Sequence, residues 1–547
     1  MKQNFVKILS TGLLACTVWS FSFLDVSDEL AGGISDISQV FSNVDRTKKW
    51  YSQVFNNRPD YSAVWVTDSP MGNPWTAYSD EIYTRLANNA GKYTEWNSSN
   101  SNSQRWNTLY GSIRQANIFL EQAHPIVDEG GPDADRLTEE EIKLYKATVR
   151  FMRAAYHYYL MELYGPIPIV DHSMTLEDDL DLPRNSLDEV IEFIDRELKE
   201  CMEEMAQESR RLTRLHFGRT IRLFAPIYLS NECINNCKYC GFSRDNPIIR
   251  TTLTVDEVVQ EARYLHGLGL RSILLVAGEH PKFVSDGYMQ ECLDALHSFI
   301  PSLGLEIGPL PDDRYAEIVR HGAEQLAVYQ ETYNREVYET LHTAGMKKNF
   351  NWRLDCPERA YQGGFRRIQI GALFGLSPWR REAMALAVHL DYLQKHCWKS
   401  ALSVAFPRMR PYAGNYEYEP DPDLMLDDRH FVQLMAALRI CFPKIGMSIS
   451  TREPAPMRNA LMHLGMTHMS AIARTEPGGY TGVGTAAAHL TVRGNRVDLP
   501  DGRKGNCKAT EQFEISDQRT PEQVVGAIRN AGLEPVWKDW DAALDVV

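Results

Sequence analysis

Ten cysteines in 547 residues are too few and too scattered for a disulfide scaffold, so their role has to be read locally. No apolar run reaches the roughly 18 to 20 residues that a membrane helix needs. Basic residues are outnumbered, 58 against 72 acidic, and the formal charge of −14 excludes a broad footprint for nucleic acid or anionic lipid. No low-complexity tract dominates, and 44% hydrophobic with 24% charged residues over this length suits two or more globular domains. The acidity is uneven. Residues 1–205 hold 18 Lys and Arg against 32 Asp and Glu, so 40 against 40 remain for residues 206–547. Cys16 and Cys201 precede this seam and eight cysteines lie beyond it. The seam itself, Glu200 to Ala206, falls inside what reads as a continuous helix with no Pro-, Gly- or Ser-rich linker.

The N-terminus is distinctive. Lys2 and Lys7, the short apolar run to Ala15, and then Cys16 read as a signal peptide over residues 1–16 ending in a lipobox; a short amphipathic start to a soluble domain is the alternative. Residues 17–205 then carry a dense aromatic stretch, Trp50, Tyr51, Tyr61, Trp65, Trp75, Tyr78, Tyr83, Tyr93, Trp96, Trp106 and Tyr110, whose rings could stack on sugars or fill a core. Apolar periodicity predicts helices over Gln104 to Ala123, Glu139 to Tyr164 and Ser186 to Met205, the last opening with a Ser186/Glu189 capping box. Phe23-Leu24-Asp25-Val26, Trp106 with Tyr110 to Leu120, Arg150 to Tyr156, Leu163 to Pro168 and Val190 to Ile194 together resemble the N-terminal part of SusD/RagB-type glycan-binding lipoproteins. That resemblance implies a tetratricopeptide-like helical scaffold at the outer membrane. The part that would complete such a scaffold is absent after it, so the segment reads as a partial domain.

Past Ala206 short β-rich runs alternate with helical stretches. Eight strands are predicted: Thr220 to Leu229, Ser272 to Gly278, Leu305 to Leu310, Gln325 to Glu331, Arg367 to Gly375, Ser400 to Phe406, Gly446 to Thr451 and His468 to Arg474. Eight such units have the size and order of an α/β, parallel (β/α)8 TIM-type barrel over residues 206–480, with 481–547 as a C-terminal extension. In that fold chemistry sits where the strands end, and Cys, Glu, His and Arg cluster there.

Cys233-Ile234-Asn235-Asn236-Cys237-Lys238-Tyr239-Cys240 is a C-x3-C-x2-C run in the loop after the first strand. Three thiolates on one tight loop can take three corners of a [4Fe–4S] cubane and leave its fourth iron open. A structural zinc normally wants four protein ligands, and no fourth Cys or His is near in sequence; unrelated core cysteines are the remaining reading.

This loop resembles the signature of the radical S-adenosylmethionine (SAM) superfamily. The resemblance implies a [4Fe–4S] cluster on Cys233, Cys237 and Cys240, and SAM bound at its open iron. It also implies that Gly278-Glu279 meets the SAM amino group, that Glu331 and Arg353 hold its ribose and carboxylate, and that Gly371 and Gly375 let adenine approach. Ordinary rim salt bridges and relief of packing are the alternative roles for these residues. A narrower set of phrases covers residues 207 to 547, among them Tyr329-Gln330-Glu331-Thr332-Tyr333, Phe406 to Pro411 and Ser450-Thr451-Arg452-Glu453. These resemble the 2-iminoacetate synthase family, the tyrosine lyases of thiamine thiazole synthesis. This narrower resemblance implies cleavage of the Cα–Cβ bond of L-tyrosine to 2-iminoacetate and p-cresol, a flavodoxin- or ferredoxin-type reductant, and thiazole synthase as the consumer of the product. Ser450 and Arg452, two apart on one side of a strand, are candidates for the tyrosine carboxylate. Arg408 and Arg410 are weaker ones, and His280 is a candidate for moving the phenolic proton. A different aromatic amino acid lyase is the runner-up, and an exported glycan-binding lipoprotein with a passenger barrel is the competing reading.

The two resemblances imply different compartments. A low-potential cluster belongs in a reducing cytoplasm, whereas a lipobox at Cys16 leads to the outer membrane; the membrane becomes a partner only if that signal is used. Two truncated families meeting without a linker read as a fusion or chimera of unrelated genes.

Overall fold

The computed structural model describes residues 37–64, 72–73, 105–126, 136–175, 178, 181–412, 421–499 and 506–538. The signal and lipobox reading at residues 1–16, the Phe23–Val26 phrase and the rings from Trp65 to Trp96 lie outside the described residues. The chain divides into two compact units, Met1–Glu208 and Ser209–Val547.

Among the described residues of the first unit the main helices are α1 Val44–Gln53, α2 Trp106–Gln122, α3 Glu139–Tyr164 and α4 Leu187–Phe217, whose residues 209–217 belong to the second unit. Helix α3 starts at a Thr138/Glu141 capping box. Leu109, Ile113, Phe119, Val149, Met152 and Tyr156 meet in one apolar core, joined by Phe41 and Val190. The described aromatics serve that core. Tyr51 stacks on Tyr145 with centroids 4.3 Å apart, Trp50 donates its indole N–H to Gln115 O at 3.1 Å, and Tyr110 donates its hydroxyl to Pro168 O at 2.7 Å. Helix α4 runs twelve residues past the predicted end at Met205, stopping only before Gly218, because nothing from Ala206 to Phe217 breaks a helix.

The second unit is a closed barrel of eight parallel strands: β1 Thr220–Ser230, β2 Ser272–Ala277, β3 Ser302–Glu306, β4 Ala323–Glu331, β5 Arg367–Ala372, β6 Ala401–Ala405, β7 Gly446–Ile449 and β8 His468–Ser470. Each pairs with the next, and β8 closes on β1 through His468↔Arg222 to Ser470↔Phe224. Runs such as Ser272-Ile-Leu-Leu-Val-Ala are apolar on both faces, as a strand covered by helices outside and packed side chains inside requires. A helix comes after every strand: α5 Val255–Gly267, α6 Asp286–His297, α7 Asp312–Arg320, α8 Arg335–Leu341, α9 Trp379–His396, α10 Asp428–Cys441, α11 Ala455–Met462 and α12 Pro521–Asn530. Capping boxes at Thr254 and Thr520 start α5 and α12. The third strand begins earlier than the predicted Leu305 and ends at Glu306. The next segment, Ile307 to Pro311, carries two prolines and cannot continue the ladder.

Two later segments return to β1. Strand β9, Glu534–Val536, pairs parallel with Thr220–Arg222 at the strand's start. At the other end a hairpin, His489–Val492 with Asn495–Val497, adds antiparallel to Ile248–Arg250 just beyond the cysteine loop.

Candidate active site at the strand ends

The loop leaving β1 is held by backbone and by Arg250. The buried Arg250 guanidinium donates to the carbonyls of Asn231, Phe242 (3.0 Å) and Ser243 (2.6 Å), bracketing the three cysteines from both sides. Asn231 adds bonds to Ile249 O at 2.9 Å and Thr510 O at 3.1 Å. The end of β2 docks on the same loop: Gly278 N–H donates to Ser230 O and Ile234 N–H to Glu279 O. A Cβ at Gly278 would run into the Glu232 carbonyl and come within 3.3 Å of Cys233 Cβ, so only glycine permits this approach.

Cys233, Cys237 and Cys240 are free thiols. Burial pushes the Cys233 thiol up to about 11 and Cys237 well above its ordinary value; Cys240 adds to the rise at both and Cys233 to that at Cys237, as thiols close together on one loop would. Among the described residues no group of three or more His, Cys, Asp or Glu is arranged to hold a single metal ion. A cubane asks for something else, three thiolates each on its own iron, and the donor set fits that group: three convergent, unpaired thiols on a loop with no fourth protein ligand. Bound iron would deprotonate them outright.

Beside the thiols lies a buried charged network. Glu331, at the end of β4, receives Lys347 Nζ at 2.6 Å and faces Arg353 Nη2 at 3.7 Å. Burial alone would raise its carboxyl, but Lys347 and Arg353 outweigh burial and hold it below the ordinary range. Its backbone has φ +71°, a conformation costly for a residue with a side chain and characteristic of sites where geometry matters more than stability. Arg353 also faces Glu279 at 3.4 Å and donates to Tyr329 O at 2.6 Å. Asn235, inside the cysteine run, donates to Glu279 at 2.7 Å and accepts from Lys347 N–H at 3.0 Å. The structure thus brings Gly278, Glu279, Glu331 and Arg353 together with the cysteine loop.

The two glycines of the fifth strand region sit further round. A Cβ at Gly371 would meet Ala405 O at 2.7 Å and the Tyr329 ring at 2.8 Å, and Gly375, at φ +115°, faces Met409 and Met425. These contacts are with the protein's own backbone and side chains.

Two adjoining cavities occupy the barrel mouth. The first is lined by Ser450 and Arg452 with Phe224, Tyr228, Tyr329 and Phe513; Arg452 lies over the Phe513 ring at 3.4 Å. The second is lined by Cys240, Glu331, Lys347, Arg410 and Gln512. Glu306, Tyr329, Pro407, Arg452 and Phe513 line both. Arg410 donates to Glu453 at 3.0 Å with its Nε buried and unpartnered, whereas Arg408 is taken up by Glu453, Asp428 (2.8 Å) and Leu426 O (2.9 Å). His280 is not brought to the Ser450–Arg452 cavity. It lines a separate apolar cavity with Val284, Met289, Leu310 and Met346, its ring against Phe283.

Sequence reasoning missed five participants. Lys347 and Gln512 come from distant segments with no motif around them, and Arg250 ends the short strand that follows the cysteine loop; Gln512 accepts from Tyr228 and its amide lies 3.6 Å from Cys240 Sγ. Asn235 lay inside the motif unremarked. Glu306 had a signal, a lone carboxylate ending an otherwise apolar strand.

Comparison with known proteins agrees with this geometry. Residues 227–387 match the radical SAM superfamily, and residues 405–534 match the biotin and thiamin synthesis associated domain. The 2-iminoacetate synthase of Escherichia coli K12 is 40% identical over 344 residues, 63% of this chain and 84% of that relative. The chain belongs to the 2-iminoacetate synthase family. The Salmonella typhimurium LT2 family member is 38% identical over 66% of this chain and 88% of its own length. In three dimensions the FeFe-hydrogenase maturase HydG from Carboxydothermus hydrogenoformans superposes with a TM-score of 0.56 at 27% identity, covering 79% of this chain and 83% of that one. As a 2-iminoacetate synthase relative, this chain is a radical SAM lyase that uses a [4Fe–4S] cluster and SAM. Residues 23–222 match a different family, SusD-like, described as starch-binding and associating with the outer membrane. The chain joins segments of two different families.

Proposed function

We propose that the barrel cleaves the Cα–Cβ bond of L-tyrosine, giving 2-iminoacetate and p-cresol as SAM is split to methionine and 5′-deoxyadenosine. The observation that carries this reading is the Ser450–Arg452 pair in an aromatic-lined cavity adjoining the one that holds Cys240, Glu331 and Lys347. Arg452 suits a substrate carboxylate because its planar fork makes two charge-assisted bonds, and the Ser450 hydroxyl adds a third donor. Phe224, Tyr228 and Phe513 give the tyrosine ring apolar and edge contacts. Cys233, Cys237 and Cys240 would hold the cluster, with Glu279, Glu331 and Arg353 around SAM. When bound, these groups supply a 5′-deoxyadenosyl radical. The chain's own part is to orient the substrate, exclude water and hold its proton at the reacting end. A flavodoxin- or ferredoxin-type protein supplies the electron, and thiazole synthase takes the unstable imine.

Anaerobic reconstitution with iron and sulfide, then addition of SAM, reductant and L-tyrosine, should release p-cresol and 5′-deoxyadenosine together, with both lost in Cys237→Ala. A fully clustered protein that cleaves L-tryptophan but leaves L-tyrosine intact would overturn the substrate assignment. For the N-terminal part, we propose that the seam is a gene fusion and that the barrel works in the cytoplasm. Fractionation of the native chain as an acylated membrane protein would overturn the second statement.

A further inference from the structure

Glu306 ends β3, and β3 stands opposite β7 in the eight-stranded barrel, with three strands between them either way round. Its side chain lines both mouth cavities. Its carboxyl has no hydrogen bond or ion pair to any described residue, although it lies deep in the barrel and is only half-buried against the cavity. The charged and titratable groups facing it are Arg452 from the turn after β7, Glu331 and Tyr329 from β4, Tyr228 from β1, and Lys347 and Arg353 from the segment after β4. A carboxylate left without a partner in such a place is costly unless a ligand supplies one.

The position is informative because of where the reacting atom must be. If the substrate carboxylate is held by Ser450 and Arg452, which lie in the turn just past β7 rather than on one side of the strand, and the radical arises on the Cys240–Glu331 side, the atom that gives up hydrogen lies where the two cavities meet. The α-amine shares a carbon with that carboxylate, so it lies close to this junction, which Glu306 lines. Resting on the tyrosine lyase reading, we propose that Glu306 is the base that takes the proton from the substrate's α-ammonium and leaves the neutral amine for hydrogen-atom abstraction. In that step one N–H bond breaks heterolytically, its electron pair stays on nitrogen, and an O–H bond forms on Glu306; no oxidant or reductant takes part. The chemistry requires such a step, since an ammonium has no lone pair to delocalise the unpaired electron that abstraction creates.

The electrostatics suit the role. Burial raises the Glu306 carboxyl to about 7 against the pull of Arg452, which matches a base operating near neutrality. Tyr228 and Tyr329, whose phenols burial pushes well above their ordinary value, stay protonated there and cannot substitute for it.

The test compares two ligands and two proteins. L-Tyrosine and its analogue without the amine, 3-(4-hydroxyphenyl)propanoic acid, are titrated calorimetrically into reconstituted wild type and Glu306→Gln. The variant should bind L-tyrosine at least about tenfold more weakly, the loss of one bond to a charged group, and bind the analogue as wild type does, which also reports an intact fold. Its p-cresol formation at pH 7 should fall about 100-fold or more and recover as pH rises toward the amine's own titration, where wild type levels off. Equal weakening for both ligands, or a wild-type pH profile in the variant, overturns the role of Glu306. If wild type itself releases no p-cresol from L-tyrosine, the substrate assignment fails, and this inference with it.

Discussion

Gly278→Ala probes whether the cysteine loop and the end of β2 form one packed unit. A Cβ there would lie 3.0 Å from the Glu232 carbonyl carbon, nearer still to its oxygen, and 3.3 Å from Cys233 Cβ. The obstacle is backbone, and it is pinned on both sides by the Gly278–Ser230 and Ile234–Glu279 hydrogen bonds at 3.0 and 2.9 Å. Relief therefore requires moving the Glu232–Cys233 peptide and the first thiol with it. Overpacking of this kind costs about 1–3 kcal/mol, which lowers the melting temperature of a domain of this size by about 1–4 °C. The assay is thermal unfolding of the apoprotein, then iron and sulfide content after anaerobic reconstitution. Gly526→Ala is the control: Gly526 lies in α12 with nothing within 4 Å of an added Cβ, so the change should stabilise the protein by about 0.5–1 kcal/mol. A Gly278→Ala protein with wild-type melting and full iron would refute the claim that the two segments share one backbone fit.

Three further outcomes are expected. Arg250→Lys leaves two or three buried loop carbonyls without donors, so it should cost about 2–4 kcal/mol, read as a lower denaturant midpoint. Lys347→Met removes the 2.6 Å partner of Glu331, so that carboxyl should protonate at higher pH, and SAM affinity measured by calorimetry should begin to fall at a higher pH than in wild type. In the helical unit His157 is buried, its Nδ1 paired with Arg153 O at 2.8 Å and its Nε2 accepting from Val170 N–H at 3.2 Å, and burial lowers its pKa to about 4. Below about pH 6.5 the unfolded chain takes up a proton that the folded one refuses. The stability this confers is therefore complete at neutral pH and declines by roughly 3 kcal/mol as pH falls to about 4, and His157→Gln should flatten that slope in urea titrations.

The barrel was legible because parallel strands buried on both faces leave apolar runs of fixed length, and six of the eight predicted strands overlap the observed ones along most of their span; the eighth stops at Ser470, short of the predicted Arg474. The third slipped because Ser302 and Gly304 break the apolar signal at its start and Ile307 prolongs it past the real end. The end of α4 was misplaced for a different reason: composition changes at residue 205, but helix formation ignores composition until it meets a breaker. In the site, local spacing exposed the three thiols, whereas Lys347 and Gln512 reach the cysteine loop only through the folding of the barrel and leave no periodic trace; Arg250, though near in sequence, carries no spacing signal of its own. His280 shows the converse. Its place beside Glu279 in sequence suggested the substrate cavity, but successive residues after a strand end diverge, and its ring turns to Phe283 instead.

The pairing of β9 with the start of β1, and the contacts of Thr510 and Gln512 with the cysteine loop, set an order in time. A ribosome delivers the three cysteines some 270 residues before Thr510, so the loop emerges well ahead of the segments that steady it. Contacts between such distant parts of a chain form slowly. Iron supplied during synthesis would meet thiols not yet held by their neighbours, so productive loading belongs after chain release. A chain cut short before Thr510 would carry every cysteine of the motif and still lack the protein's means of keeping a cluster in place.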